Sequence, residues 1–223
     1  MLHRRAKARG ATISLTTLAA PKEAWKIYQK ALQQLGKKKI HLFRISKELE
    51  KAVKIYPEFA AAWHLLGEIR LELKDHSGAR QAFEQARVAD SYYANPYISL
   101  AMLELEEERW EEAAQLSAQA LALDSQLIRA HYFNALANSF LGNLDVAEES
   151  ILRVQKSSQA QDYPAIHLIL GWVESEKGNF QSAAAEYRSF LEAQPTALIT
   201  EKLKKQLTQW KEQGLIQSSK TSE

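Results

Sequence analysis

The chain has 223 residues, of which 46% are hydrophobic and 25% charged, with a formal net charge of +2. That is enough apolar material for a sizeable core, and no run approaches the roughly 18 consecutive apolar residues of a membrane-spanning helix. The absence of cysteine excludes disulfides and thiolate metal sites, and is compatible with a reducing compartment.

The small net charge hides an asymmetry. Residues 1–56 carry 14 Lys/Arg against 3 Asp/Glu, residues 57–125 carry 5 against 13, and residues 126–195 carry 5 against 8. A basic head therefore precedes an acidic body, as in an interaction arm or a head that contacts its own body.

Residues 1–20 form the lead. MLHRRAKARG is basic, lacks apolar periodicity and is expected to be disordered. In the following ATISLTTLAA, Ile13 and Leu15 alternate with polar residues, and Thr16 and Thr17 favour strand, so a short extended segment is expected. A charged start before an apolar stretch has the outline of an export or transit signal, but three threonines and a serine interrupt the apolar part. A solvated tail on a cytoplasmic protein is the expectation.

From residue 21 to 213 the apolar pattern is helical. Trp25, Tyr28 and Leu32 share one face of a first helix, stopped by Gly36 and three lysines. Ile45, Leu49, Ala52 and Val53 mark its partner, which gives a pair spanning 22–57. Four more regular pairs follow at 60–93, 94–127, 128–163 and 164–195. In the first of them Trp63, Leu66, Gly67 and Arg70 lie on one helix, and Ala79, Phe83 and Ala86 on the next. Steps of 34, 34 and 36 residues align Leu66, Leu100, Asn134 and Leu170, and likewise Ala79, Ala113, Ala147 and Ala183.

Small residues at the crossings and large ones in the gaps are what close helix packing requires. Gly142 and Gly178 supply turn positions that tolerate positive φ, and Pro96 and Pro164 fit first helical turns. The first pair departs from this spacing, with 20 residues from Trp25 to Ile45 against 16 from Trp63 to Ala79, and reads as a divergent cap. A final helix over 196–213, with Leu198, Leu203, Leu207 and Trp210 apolar, is expected to close the stack, followed by a polar tail over 214–223.

A period near 34 with W-x2-L-G, a later alanine, an aromatic residue and a flanking proline resembles the tetratricopeptide repeat family. Here those positions are Trp63, Leu66, Gly67, Ala79, Phe83 and Ala86, with Pro57 and Pro195 at flanking repeats. The resemblance implies an all-α fold: a right-handed superhelical solenoid of antiparallel helix pairs with a C-terminal capping helix. An extended lead into such repeats also resembles larger bacterial repeat proteins, in which case this chain is one piece of a longer architecture.

Catalytic and metal chemistry find no foothold. None of the six histidines lies in H-E-x-x-H, and no phosphate-loop, dinucleotide or nucleophile-elbow pattern is present. His131 and His167 fall where Trp63 and Tyr97 stand in other repeats and read as packing substitutes. The run from Glu104 to Glu112 reads as a solvated face. No enzyme activity, cofactor or metal is expected.

The resemblance further implies a concave groove lined by first helices that holds a peptide or helix of a partner protein. Carried over repeat by repeat, it comprises His64 and Glu68, then Asn95, Met102 and Glu106, then Arg129, Tyr132, Leu136 and Phe140, and finally Trp172. Packing against a neighbouring repeat is the other reading of Phe140 and Trp172. His64 and Glu68 stand where a carboxylate-gripping groove needs a lysine and an asparagine, so docking of a C-terminal carboxylate is not implied. The alternative function is nucleic-acid or anionic-surface binding through the basic N-terminal region, including Lys37, Arg44, Lys47, Lys51 and Lys54.

Overall fold

Residues 14–37 and 40–217 are described by a computed structural model of the chain. They fold into two compact units, which divide between Leu127 and Ile128. The first contains a helical turn α1 (Leu15–Leu18) and three antiparallel pairs: α2 (Lys22–Leu35) with α3 (Leu42–Ile55), α4 (Ala60–Glu72) with α5 (His76–Ala89), and α6 (Ala94–Glu106) with α7 (Trp110–Leu123). The second contains α8 (Ile128–Phe140) with α9 (Leu144–Gln155), then α10 (Ile166–Glu176) with α11 (Phe180–Ala193), and a last helix α12 (Thr200–Glu212). Among the described residues there is no strand.

Two of the regular pairs close through a glycine facing an aromatic ring sixteen positions on. A Cβ built on Gly67 falls 2.4 Å from the Phe83 ring, and one on Gly171 falls 2.4 Å from the Tyr187 ring. The helices can approach this closely only because those side chains are absent. Where the first residue is Ala101 or Ala135, its counterpart is Ser117 or Ile151 instead, and all four are buried. The core of the first unit gathers Ile45, Leu49, Phe59, Leu66 and Ile69, with Phe83, Leu100 and Leu103 beside it. The second unit buries Ile151, Val154, Ile169 and Val173.

The turn inside each regular pair is the same device four times. Lys74, Glu108, Gly142 and Gly178 all have positive φ, between 57° and 80°. The next residue's N–H then reaches back five positions: Asp75 to Arg70 O, Arg109 to Glu104 O, Asn143 to Asn138 O and Asn179 to Glu174 O, each at 2.9 Å. The positive-φ residue itself bonds three positions back, as at Lys74 N to Leu71 O (2.9 Å). This pairing satisfies the last carbonyls of the first helix and reverses the chain. Asp75 also caps α5, accepting from the Gly78 N–H at 2.9 Å.

Four expectations are corrected. Leu15 to Leu18 is helical rather than extended, while Ile13 lies outside the described residues. The reason is distant in sequence: Asp90 Oδ2 accepts from Ser14 Oγ at 2.7 Å and from the Leu15 N–H at 2.8 Å. A turn meets these demands and pairs its remaining backbone groups internally, whereas a lone strand leaves them unpaired. Pro164 precedes α10 instead of entering it, because the extra residues of that repeat form a 3-10 turn at Ala160–Asp162.

The last helix begins at Thr200, not 196, which leaves Leu198 fully exposed. Trp210 fixes this register by packing on Phe180 (ring centroids 5.2 Å apart) and Tyr187 (5.8 Å). The tail is not wholly polar in role, since Ile216 is buried in the same cluster.

Candidate functional site

In the first unit the expected groove positions fall on α4 and α6. His64 is buried: its Nε2 lies 3.0 Å from Ser99 Oγ, and its ring rests 5.4 Å from Phe83 and 5.6 Å from Tyr93. It joins two repeats rather than facing a ligand, so it is a structural residue. Asn95 donates to Tyr93 Oη at 3.0 Å. Glu68 is half-buried near two phenols. Burial first, and then the Glu68 carboxylate, push the Tyr28 phenol up to about 12. Burial also raises Tyr93, helped by Tyr28, Glu68 and Asp90, while the bond from Asn95 acts in the opposite sense. Both phenols therefore remain protonated at neutral pH.

Met102 is half-buried on α6 and Glu106 is exposed at its end, 3.8 Å from His76 Nδ1. The neighbouring Glu104, which spacing alone placed in a solvated run, is buried and held by Arg80 from α5 and by Arg109. Arg80 reaches Glu107 as well, at 2.9 Å.

In the second unit α8 and α10 carry an aromatic face. The Tyr132 ring lies 4.8 Å from Tyr163 and 5.9 Å from Phe133. The Arg129 guanidinium sits 5.8 Å from the Phe133 centroid, within cation–π range. At the far end of α8, Phe140 meets Trp172 edge-to-face with centroids 4.7 Å apart. Phe140 remains 46% exposed, so this pair is a surface feature and not a buried joint. Leu136 lies half-buried between the two ends.

Sequence spacing missed Tyr163 and Phe133. Tyr163 lies in the irregular link before Pro164, and Phe133 sits one residue off the groove stripe. Of the two histidines read as packing substitutes, His131 is buried, while His167 is half-exposed with Nδ1 2.6 Å from a Glu186 oxygen. Among the described residues no three His, Asp or Glu side chains converge as metal ligands. No described helix is long and apolar enough to cross a membrane.

A tetratricopeptide repeat family model matches residues 46–94 and 134–197, about half of the chain. The chain belongs to the tetratricopeptide repeat family. Members of this family are generally non-enzymatic scaffolds for protein–protein interaction.

Two curated relatives share a 103-residue match with this repeat chain: mouse tetratricopeptide repeat protein 8 at 31% identity and its human counterpart at 30%. The match covers 46% of this chain and only 19% and 18% of those proteins, so the chain spans about a fifth of their length. Among solved structures, YrrB, described as a TPR protein with an unusual peptide-binding site, superposes with TM-score 0.62 at 20% identity, covering 74% of this chain and 84% of its own. PilF of Pseudomonas aeruginosa gives TM-score 0.67 at 18% identity, covering 87% of each chain. MamA gives 0.60 at 17% identity over 78% of this chain and 96% of its own. These likenesses establish the fold.

Proposed function

We propose that this tetratricopeptide repeat chain is a non-enzymatic, cytoplasmic adaptor whose first-helix faces hold a peptide or helix of a partner protein. The observation that carries the reading is the Phe140–Trp172 pair, in which Phe140 is exposed and Trp172 half-buried, on the face that also presents Tyr132 and Leu136. Aromatic side chains at the surface that already rest on one another lose little rotamer freedom when a partner covers them, which limits the ordering cost of binding. The peptide-binding site named for YrrB supports the same reading by analogy of fold. Met102, Glu68, Asn95 and Glu106 are the polar and adaptable contacts proposed for the first unit's face, and Arg129 is that of the second unit's own face.

The test is affinity capture from source-cell lysate, with and without nuclease, comparing the wild type with a Tyr132→Ala/Met102→Ala variant of unchanged helicity. A captured protein that survives nuclease and is lost with the variant is the expected result. Capture that the double substitution leaves intact overturns the assignment of these faces.

A further inference from the structure

The first helix pair carries a feature that the partner-binding reading does not use. Residues 22–56 hold 10 Lys/Arg against 3 Asp/Glu. Where α2 ends and α3 begins, Lys30, Gln33, Gln34, Lys37, His41 and Arg44 line a concavity of about 350 Å³. No carboxylate lines it, and among the described residues none pairs with Lys30, Lys37 or Arg44. A second concavity of about 580 Å³ shares His41 and Arg44 and is otherwise apolar, lined by Ile40, Leu42, Phe43 and Leu73. Phe43 is 67% exposed and Leu73 38% exposed.

We propose that this junction is a docking site for an anionic phospholipid surface, in which Lys30, Lys37 and Arg44 receive headgroup phosphates and Phe43 enters the boundary with the acyl chains. Three uncompensated cations and two amide side chains around one hollow offer charge and donors to a phosphate. The adjoining, mainly apolar hollow suits a ligand whose phosphate is attached to hydrocarbon, as in an anionic lipid. Nucleic acid fits less well. Single strands are held by successive aromatic platforms, whereas this surface offers one ring, with the Lys47 ammonium already 5.7 Å from its centroid. The site lies on α2, α3 and the end of α4, and its residues differ from those of the proposed partner-binding faces.

The probe is co-sedimentation of the full chain with vesicles of phosphatidylcholine alone and of phosphatidylcholine mixed with phosphatidylglycerol. Binding to the mixed vesicles only, weakened by salt, is expected. A Lys30→Ala/Lys37→Ala/Arg44→Ala variant is expected to lose on the order of 100-fold in affinity, from about fivefold per basic residue near an anionic surface. Phe43→Ala is expected to lose roughly tenfold, reporting lost insertion. All four positions are exposed, so circular dichroism is expected to be unchanged. An equal charge removal in α12, Lys204→Ala/Lys205→Ala/Lys211→Ala, is the control and is expected to bind as wild type.

Several results overturn the proposal: equal sedimentation with both vesicle types, the control variant failing as badly as the triple one, or Phe43→Ala binding like wild type. So does competition by free inorganic phosphate as strong as that by added anionic vesicles. Binding to a single-stranded oligonucleotide without vesicle binding replaces lipid by nucleic acid. The Tyr132→Ala/Met102→Ala variant is expected to sediment normally, so failure of one reading leaves the other standing.

Discussion

At the residue scale, four aligned turn positions adopt the same left-handed conformation with different side chains. Gly142 and Gly178 adopt it without steric penalty, whereas Lys74 (φ 66°) and Glu108 (φ 57°) hold it against the crowding of their Cβ. The conformation is imposed by the backbone bonds that close the turn, such as Asp75 N–H to Arg70 O at 2.9 Å. Gly142→Ala is therefore expected to cost roughly 1 kcal/mol. Lys74→Gly is expected to be neutral or to gain up to about 1 kcal/mol, the relieved strain being offset in part by the extra freedom of glycine in the unfolded chain. Denaturant midpoints of the two variants decide it, and a loss for Lys74→Gly contradicts the strain argument. The glycines were legible because glycine at a helix end has one main reason to be there. Lys74 and Glu108 were not, since both are helix formers and only the repeat register reveals their conformation. His64 shows the opposite failure: its register places it on the outward stripe, but Ser99 from the next repeat bonds it inward.

At the element scale, ion pairs tie neighbouring helices beside their apolar contacts. The Lys177 ammonium at the end of α10 lies 2.7 Å from Asp145 and 2.5 Å from Glu148, both on α9. It holds the Asp145 carboxyl below its ordinary pKa, and the two carboxylates hold the ammonium above its own. A depressed acid stabilises the fold above its unfolded pKa, and that contribution is lost as pH falls through the folded value. A raised base contributes below its unfolded pKa and loses that contribution only as pH rises through the folded one. The Lys177–Asp145 contribution is therefore present across neutral pH and is lost in acid as Asp145 protonates, below its ordinary pKa. The melting temperatures of wild type and Lys177→Met are expected to differ at pH 7, with the gap closing as Asp145 protonates. A gap independent of pH assigns the effect to lost packing of the lysine stem. Periodicity identified the helices themselves because their apolar stripes repeat every three or four residues. It missed α1, whose conformation depends on an aspartate 76 residues away, and it missed Ile216, which packs outside any periodic segment.

At the scale of the molecule, residues 1–56 carry 14 of the chain's 29 Lys/Arg, and the repeats over residues 57–195 carry 21 of its 27 Asp/Glu. It also divides into two compact units at residue 128. In repeat folds, stability is close to a sum of intrinsic terms and nearest-neighbour interfaces. Damage to one repeat should then open that repeat and its neighbours before the rest. Ala113 and Ala183 occupy equivalent crossings, one in each unit, and both are fully buried. Replacing either by leucine is expected to overpack its crossing and cost roughly 1–3 kcal/mol. Amide hydrogen exchange on Ala113→Leu should then quicken across residues 94–123 while 166–212 keep near wild-type protection, and Ala183→Leu should show the reverse. Equal loss of protection in both units under either substitution points to one cooperative transition, in which the long-range coupling exceeds what nearest-neighbour stacking supplies. An unchanged melting temperature for Ala113→Leu overturns the packing argument itself, because no leucine fits at a crossing where alanine is already fully enclosed.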